Sequence, residues 1–110
     1  MDQISVLVKE CNEIAVDKGW WKTDRTFPET IALMHSELSE ALEEFRNNRL
    51  VNEVYYEDDG KPCGIPSELA DCIIRIFDVC GRFNIDIERA ILEKMEYNGK
   101  RPHRHGGKKL

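Results

Sequence analysis

Several common signatures are missing from this chain, and each absence closes off a class of protein. No stretch stays apolar for the ~20 residues that a bilayer-spanning helix needs. Met1 to Cys11 carries Asp2, Lys9 and Glu10 in place of the apolar core of a secretion signal. Both readings predict a cytoplasmic protein with no membrane partner. The cysteines, at 11, 63, 72 and 80, include no close pair of the zinc-ribbon or redox kind. Cys72 and Cys80 fall on an apolar helix face, which favours reduced core thiols over a disulfide. Excess positive charge is lacking too. With 16 basic against 21 acidic residues the net charge is -5, which argues against nucleic acid as the partner. Glycine-rich phosphate-loop and dinucleotide fingerprints are absent, and Asp58-Asp59-Gly60 lacks the alternating oxygens of an EF-hand.

What remains is a short, ordinary globular composition, 41% hydrophobic and 34% charged over 110 residues. That length holds one domain, spanning 1–110, and a chain so short buries only about 60 to 65% of its unfolded surface. The charge is unevenly placed. Basic residues collect in a tail with Lys100, Arg101, Arg104, Lys108 and Lys109, while acid collects in the middle. The split predicts a metal-binding centre and an anion-binding end.

Hydrophobic periodicity predicts four helices and an all-α fold. Ile4, Leu7, Val8, Cys11, Ile14 and Ala15 make one stripe over Asp2 to Lys18, ended by Gly19. Thr26-Phe27-Pro28 starts a second helix reaching about Asn48, with Ile31, Met34, Leu38, Ala41, Leu42 and Phe45 on its apolar side. Residues 49–65 are rich in turn formers and form a long loop, with Val51 to Tyr56 as a short extended ribbon. A third helix from Pro66 to Phe83 is apolar around well over half its circumference and needs partners on several sides. Asn84 to Asp86 caps a fourth helix that ends near Asn98, stopped by Gly99 and Arg101-Pro102, and leaves an irregular basic tail over 99–110. Helical hairpins of this kind form a four-helix-type bundle, completed by oligomerisation because the third helix lacks enough neighbours.

At 100° per residue, Glu37, Glu40 and Glu44 share one side of the second helix, with Glu37 at the margin of the apolar stripe. On the third helix Glu68, Asp71, Arg75, Asp78 and Arg82 crowd into the one polar strip. Two acidic pairs at i, i+3 on neighbouring helices, facing each other, make an oxygen cage for a hard cation. The plainer reading is a solvated face, with Asp71–Arg75 and Asp78–Arg82 as surface i, i+4 pairs contributing about 0.2 to 0.5 kcal/mol each. Lys94 sits within the apolar stripe of the fourth helix. Either its stem snorkels to the surface, or it joins Asn98 and Arg101 in presenting donors to a phosphate chain.

Ser36-Glu37-Leu38-Ser39-Glu40, then Glu68-Leu69-Ala70-Asp71, then Lys94-x-x-x-Asn98-x-x-Arg101-Pro102 resemble the motifs of the MazG-like all-α nucleoside triphosphate pyrophosphohydrolases. That family's pattern is Glu-Glu-x-x-Glu followed later by Glu-x-x-Asp. The resemblance implies a homodimer or homotetramer that uses Mg²⁺, with Mn²⁺ as a substitute, to cleave a nucleoside triphosphate to the monophosphate and pyrophosphate. It further implies Glu37, Glu40, Glu68 and Asp71 as metal and catalytic residues. Lys94, Asn98 and Arg101 would be phosphate contacts, and the tail with His105 would fold over the substrate. Ser36 departs from the family's first glutamate, so the general base stays open. Trp20 and Trp21 fit either a stacking platform for a nucleobase, with Trp21 as a substrate contact, or a staple between helices. The rival from another class is a noncatalytic dimeric helical interaction or nucleotide-binding module whose acidic helices are simply solvated.

Overall fold

The structure, a computed structural model, describes residues 3–100. Four helices carry the fold: α1 (Gln3–Asp17), α2 (Phe27–Arg46), α3 (Ile65–Arg82) and α4 (Ile87–Lys100), with a two-residue hairpin, β1 (Tyr55–Tyr56) and β2 (Pro62–Cys63), between α2 and α3. The architecture is all-α. No helix among the described residues is long and apolar enough to cross a membrane.

The start of α2 is set by local chemistry. The Thr26 hydroxyl accepts from the Glu29 backbone N–H, and the Glu29 carboxylate accepts from the Thr26 N–H at 3.1 Å, closing a capping box ahead of the proline in the first turn. Such a cap contributes about 1 kcal/mol. At the far end Asn47 closes the helix, and Asn48 takes the left-handed conformation at φ 68°. The chain then turns into the loop, where only Tyr55 and Tyr56 of the expected Val51 to Tyr56 ribbon form a strand and Val51 and Asn52 lie in a turn. Tyr55 pairs with Cys63 and Tyr56 with Pro62, around a turn in which the Asp59 carboxylate accepts from the Lys61 N–H. Gly64, at φ 111°, sits where any Cβ would collide with the Glu53 carbonyl oxygen. A glycine is required there for the loop to fold back before α3 starts.

The central helix is α3, which packs against α2 on one side and α1 on the other. Gly81 admits α1 closely, since an added Cβ would lie 2.7 Å from that of Asn12. Asn12 also donates to Asp78 at 2.9 Å, and the Trp21 indole N–H donates to both oxygens of the same carboxylate at 2.9 and 3.1 Å. Asp78 is therefore buried, not a solvated partner of Arg82. That arginine turns instead to Asp24 at 3.3 Å and lies over the Trp21 ring. A buried carboxylate with neutral donors costs little only while those donors stay in place. Here they tie α1 and the turn after it to the C-terminal part of α3.

Asp86 opens α4, accepting from the Arg89 N–H at 3.1 Å. The helix continues through Gly99 to Lys100, past the stop expected near Asn98. Glycine inside a helix costs about 1 kcal/mol relative to alanine, which is not enough to end one, and a Glu96–Lys100 ion pair at 3.1 Å spans the last turn. Residues 101–110, and with them Arg101 and His105, lie outside the described residues. The main contact of α4 is with α1, where Ser5 donates to Glu88 through its N–H and its hydroxyl.

Burial is uneven. Ala15, Trp21, Ala41, Cys63, Ile65, Cys72, Val79 and Cys80 form a small core, and the four cysteines lie as free thiols. Much of the apolar stripe predicted on α2 is open. Leu42 is 59% and Phe45 58% exposed, and Leu69 and Ile73 on α3 are exposed as well.

Candidate metal centre

The side of α2 that carries Thr30, Glu37 and Ala41 packs along α3, while most of the expected apolar stripe faces outward, and that packing decides which acidic residues meet. Ala41 is buried in the α2–α3 contact, and Glu37, one turn before it, is buried too, at 8% exposure. Glu40 follows at the open edge of the same helix. From α3, Glu68 in the first turn comes up to meet them. Oxygens of Glu37, Glu40 and Glu68 all lie within 4.8 Å of one another.

Three carboxylates that close are a charge conflict. Each ionised carboxylate only accepts hydrogen bonds, so they cannot satisfy one another. Glu68 shows the consequence. While ionised, its Oε2 is buried and meets no donor, and its pKa is pushed up from 4.5 to about 7, first by burial, then by hydrogen bonding of the protonated form to Glu40 and by the charge of Glu40, and then by Glu37 and Asp71. Only a proton or a cation placed between the oxygens relieves this arrangement. Hard divalent cations take oxygen ligands of this type, so the donor set fits such an ion.

Asp71, one turn along α3, stands at the rim. It shares no single point with the other three, but its carboxyl is raised by burial and by Glu37, while Arg75 opposes that rise. Arg75 does not make the surface pair with Asp71 that the spacing suggested. Its Nε donates to Glu37 Oε1 at 2.9 Å, across the α2–α3 contact. The guanidinium also lies 5.8 Å from the Trp20 ring centroid.

Beside the cluster opens a cleft of about 210 Å³ lined by Glu40, Glu43, Glu44, Asn47 and Glu68. Its wall is braced by the hairpin. The Tyr55 hydroxyl donates to Glu44 at 2.8 Å, and Arg49 stacks over the Tyr55 ring at 3.8 Å while bonding Glu53 at 2.9 Å. The hydrogen bond to Glu44 is the main reason the Tyr55 hydroxyl is held above its usual pKa.

The remaining predicted site residues lie elsewhere. Lys94 and Asn98 are exposed on α4, with the Lys94 ammonium 5.6 Å from the Tyr97 ring, and no described contact ties them to the carboxylates. Trp21 is buried, bonded to Asp78, covered by Arg82 and met edge-on by Phe83, so its ring packs the bundle and offers no free face to a base. Trp20 keeps the exposed ring of the pair. Sequence periodicity put Arg75 and Tyr55 on the right elements, but their partners lie across helix and loop contacts that periodicity does not encode.

Compared with protein-family models, with curated proteins and with solved structures, the chain gives no match.

Proposed function

We propose that this protein is a Mg²⁺-dependent pyrophosphohydrolase of the MazG-like type. It would cleave a nucleoside or deoxynucleoside triphosphate to the monophosphate and pyrophosphate, in the cytoplasm and as a homodimer or homotetramer. One observation carries the reading. Carboxylates from two helices converge with a buried oxygen, Glu68 Oε2, that has no partner.

In this reading Glu37, Glu40 and Glu68 hold the cation, and Asp71 is the fourth donor at the rim. A bound Mg²⁺ or Mn²⁺ supplies Lewis acidity toward phosphoryl oxygens and an activated water. The chain contributes the rest. Glu40 forms the exposed edge where a polyphosphate enters beside the cleft. Glu44, oriented by the Tyr55 hydroxyl, stands in the general-base role that Ser36 cannot fill, taking the proton of the water that attacks the α-phosphorus. Lys94, Asn98 and Arg101 are the proposed contacts to the leaving pyrophosphate, reaching it in the assembled oligomer, with His105 in the same tail.

The exposed stripe of Ile31, Leu38, Leu42 and Phe45 on α2 supports that assembly, because contiguous apolar patches on a small domain mark an interface. The same stripe favours the second reading, a noncatalytic dimeric helical module. Pyrophosphate release from a panel of nucleoside triphosphates, with Mg²⁺ and with chelator, separates the two. Mg²⁺-dependent release that is lost in Glu40→Ala and Asp71→Ala, with helical circular dichroism kept, supports the enzyme. Release that survives both substitutions would refute the site, and no release from any substrate would leave the interaction module as the better account.

A further inference from the structure

Arg75 stands out because its ion pair crosses a helix contact to a buried carboxylate. It lies on the strip of α3 that carries Glu68 and Asp71, where a solvated arginine would pair within its own helix. Instead it reaches across to α2. The contact is directional: Nε, one donor of a planar guanidinium, meets Glu37 Oε1 at 2.9 Å, and the Trp20 ring centroid lies 5.8 Å from the group. Both partners are largely withdrawn from water, with 25% of the Arg75 and 10% of the Glu37 side chain accessible. Among the described residues, Glu37 is the one converging carboxylate with an ion-pair partner.

We propose that Arg75 is a positioning residue of the carboxylate centre that ties down one oxygen of Glu37 and so selects a small octahedral cation over a larger one. The proposal rests on the metal-centre reading above. With Oε1 already accepting from Arg75, attachment of a cation through both oxygens of Glu37 is disfavoured relative to attachment through one. Mg²⁺ and Mn²⁺ are satisfied by single-oxygen attachment in a six-fold shell completed by water or phosphate. Ca²⁺ takes six to eight oxygens and readily accepts both oxygens of a carboxylate. A second partner that fixes one ligand oxygen therefore works against Ca²⁺ more than against Mg²⁺ or Mn²⁺. Loss of such outer contacts typically weakens metal binding about 10- to 100-fold.

The test is metal binding by the intact chain, read by Mn²⁺ electron paramagnetic resonance and by Ca²⁺ competition, in wild type, Arg75→Gln and Arg75→Lys. Arg75→Lys keeps a cation beside Glu37 but loses the planar donor. Both variants are expected to bind Mn²⁺ about 10- to 100-fold more weakly and to lose less affinity for Ca²⁺, so that the preference for Mn²⁺ falls. A merely structural role would weaken both ions alike, and a merely electrostatic one would be rescued by lysine. Either result, or an unchanged Mn²⁺ to Ca²⁺ ratio, overturns the assignment while leaving the metal centre standing. Failure of the wild type to bind Mn²⁺ at all would instead overturn the metal centre, and this inference with it. Should both Arg75 variants fail to fold, Trp20→Ala, at an exposed ring, is expected to shift the ratio the same way by less, and no shift would refute the role.

Discussion

Replacing Glu68 by glutamine should stabilise the metal-free protein above neutral pH, the reverse of what most substitutions at a partly buried position do. In the unfolded chain this carboxyl titrates near 4.5 and in the fold at about 7. Between those values the folded state holds the extra proton, so stability falls as pH rises from 4.5 and the loss is complete above about 7. At full weight that difference corresponds to about 3 kcal/mol. The side chain is partly open to water, and screening reduces the figure to about 1 kcal/mol. Glutamine has nothing to ionise, and its amide can donate to Glu40 or Glu37. For a chain of this size about 1 kcal/mol moves the melting temperature by roughly 4 to 8 °C. Thermal unfolding followed by circular dichroism in chelator at pH 8 should show Glu68→Gln melting that much higher than wild type, with the gap closing toward pH 4.5. Saturating Mg²⁺ should reverse the order. At about 100 times its dissociation constant a ligand adds about 2.7 kcal/mol, available to wild type and largely lost without the Glu68 charge. A Glu68→Gln protein that melts lower than wild type at pH 8 in chelator, or that gains as much from Mg²⁺, would refute the claim that these carboxylates oppose one another until a cation joins them.

Trp21→Phe removes the indole donor to buried Asp78 and is expected to cost about 1.5 to 3 kcal/mol. Urea unfolding should show that loss, with Mn²⁺ affinity unchanged because Trp21 belongs to the bundle and not to the site. Leu42→Glu places a charge in the exposed stripe of α2. Sedimentation should then report monomer at concentrations where wild type is associated, and wild type that sediments as a monomer would refute assembly through this face.

The elements of this protein were legible in its sequence because their causes are local. Periodic apolar residues, the Thr26-Phe27-Pro28 start with its proline, and the Asn84 to Asp86 start are short-range signals, and the four helices appear where those signals place them. α4 runs two residues past its expected end because Gly99 is a local signal too weak to outweigh a continuing helix, while the expected stop at Arg101-Pro102 lies outside the described residues. Spacing also put Glu37 and Glu40 on one side of α2, and Glu68 and Asp71 on one strip of α3. What spacing could not settle is which charges face each other, since that depends on how two helices rotate and slide as they pack. Tertiary structure decided that Glu68 meets Glu37 and Glu40 while Asp71 stays at the rim, and that Arg75 turns from its own helix to Glu37. It also decided that Asp78 is buried under Trp21 and Asn12, and that Trp21 is sealed while Trp20 keeps an exposed ring. Charge and periodicity are properties of one segment at a time. Convergence is a property of the packed pair, and the strain of like charges at Glu68 exists only after α2 and α3 have come together.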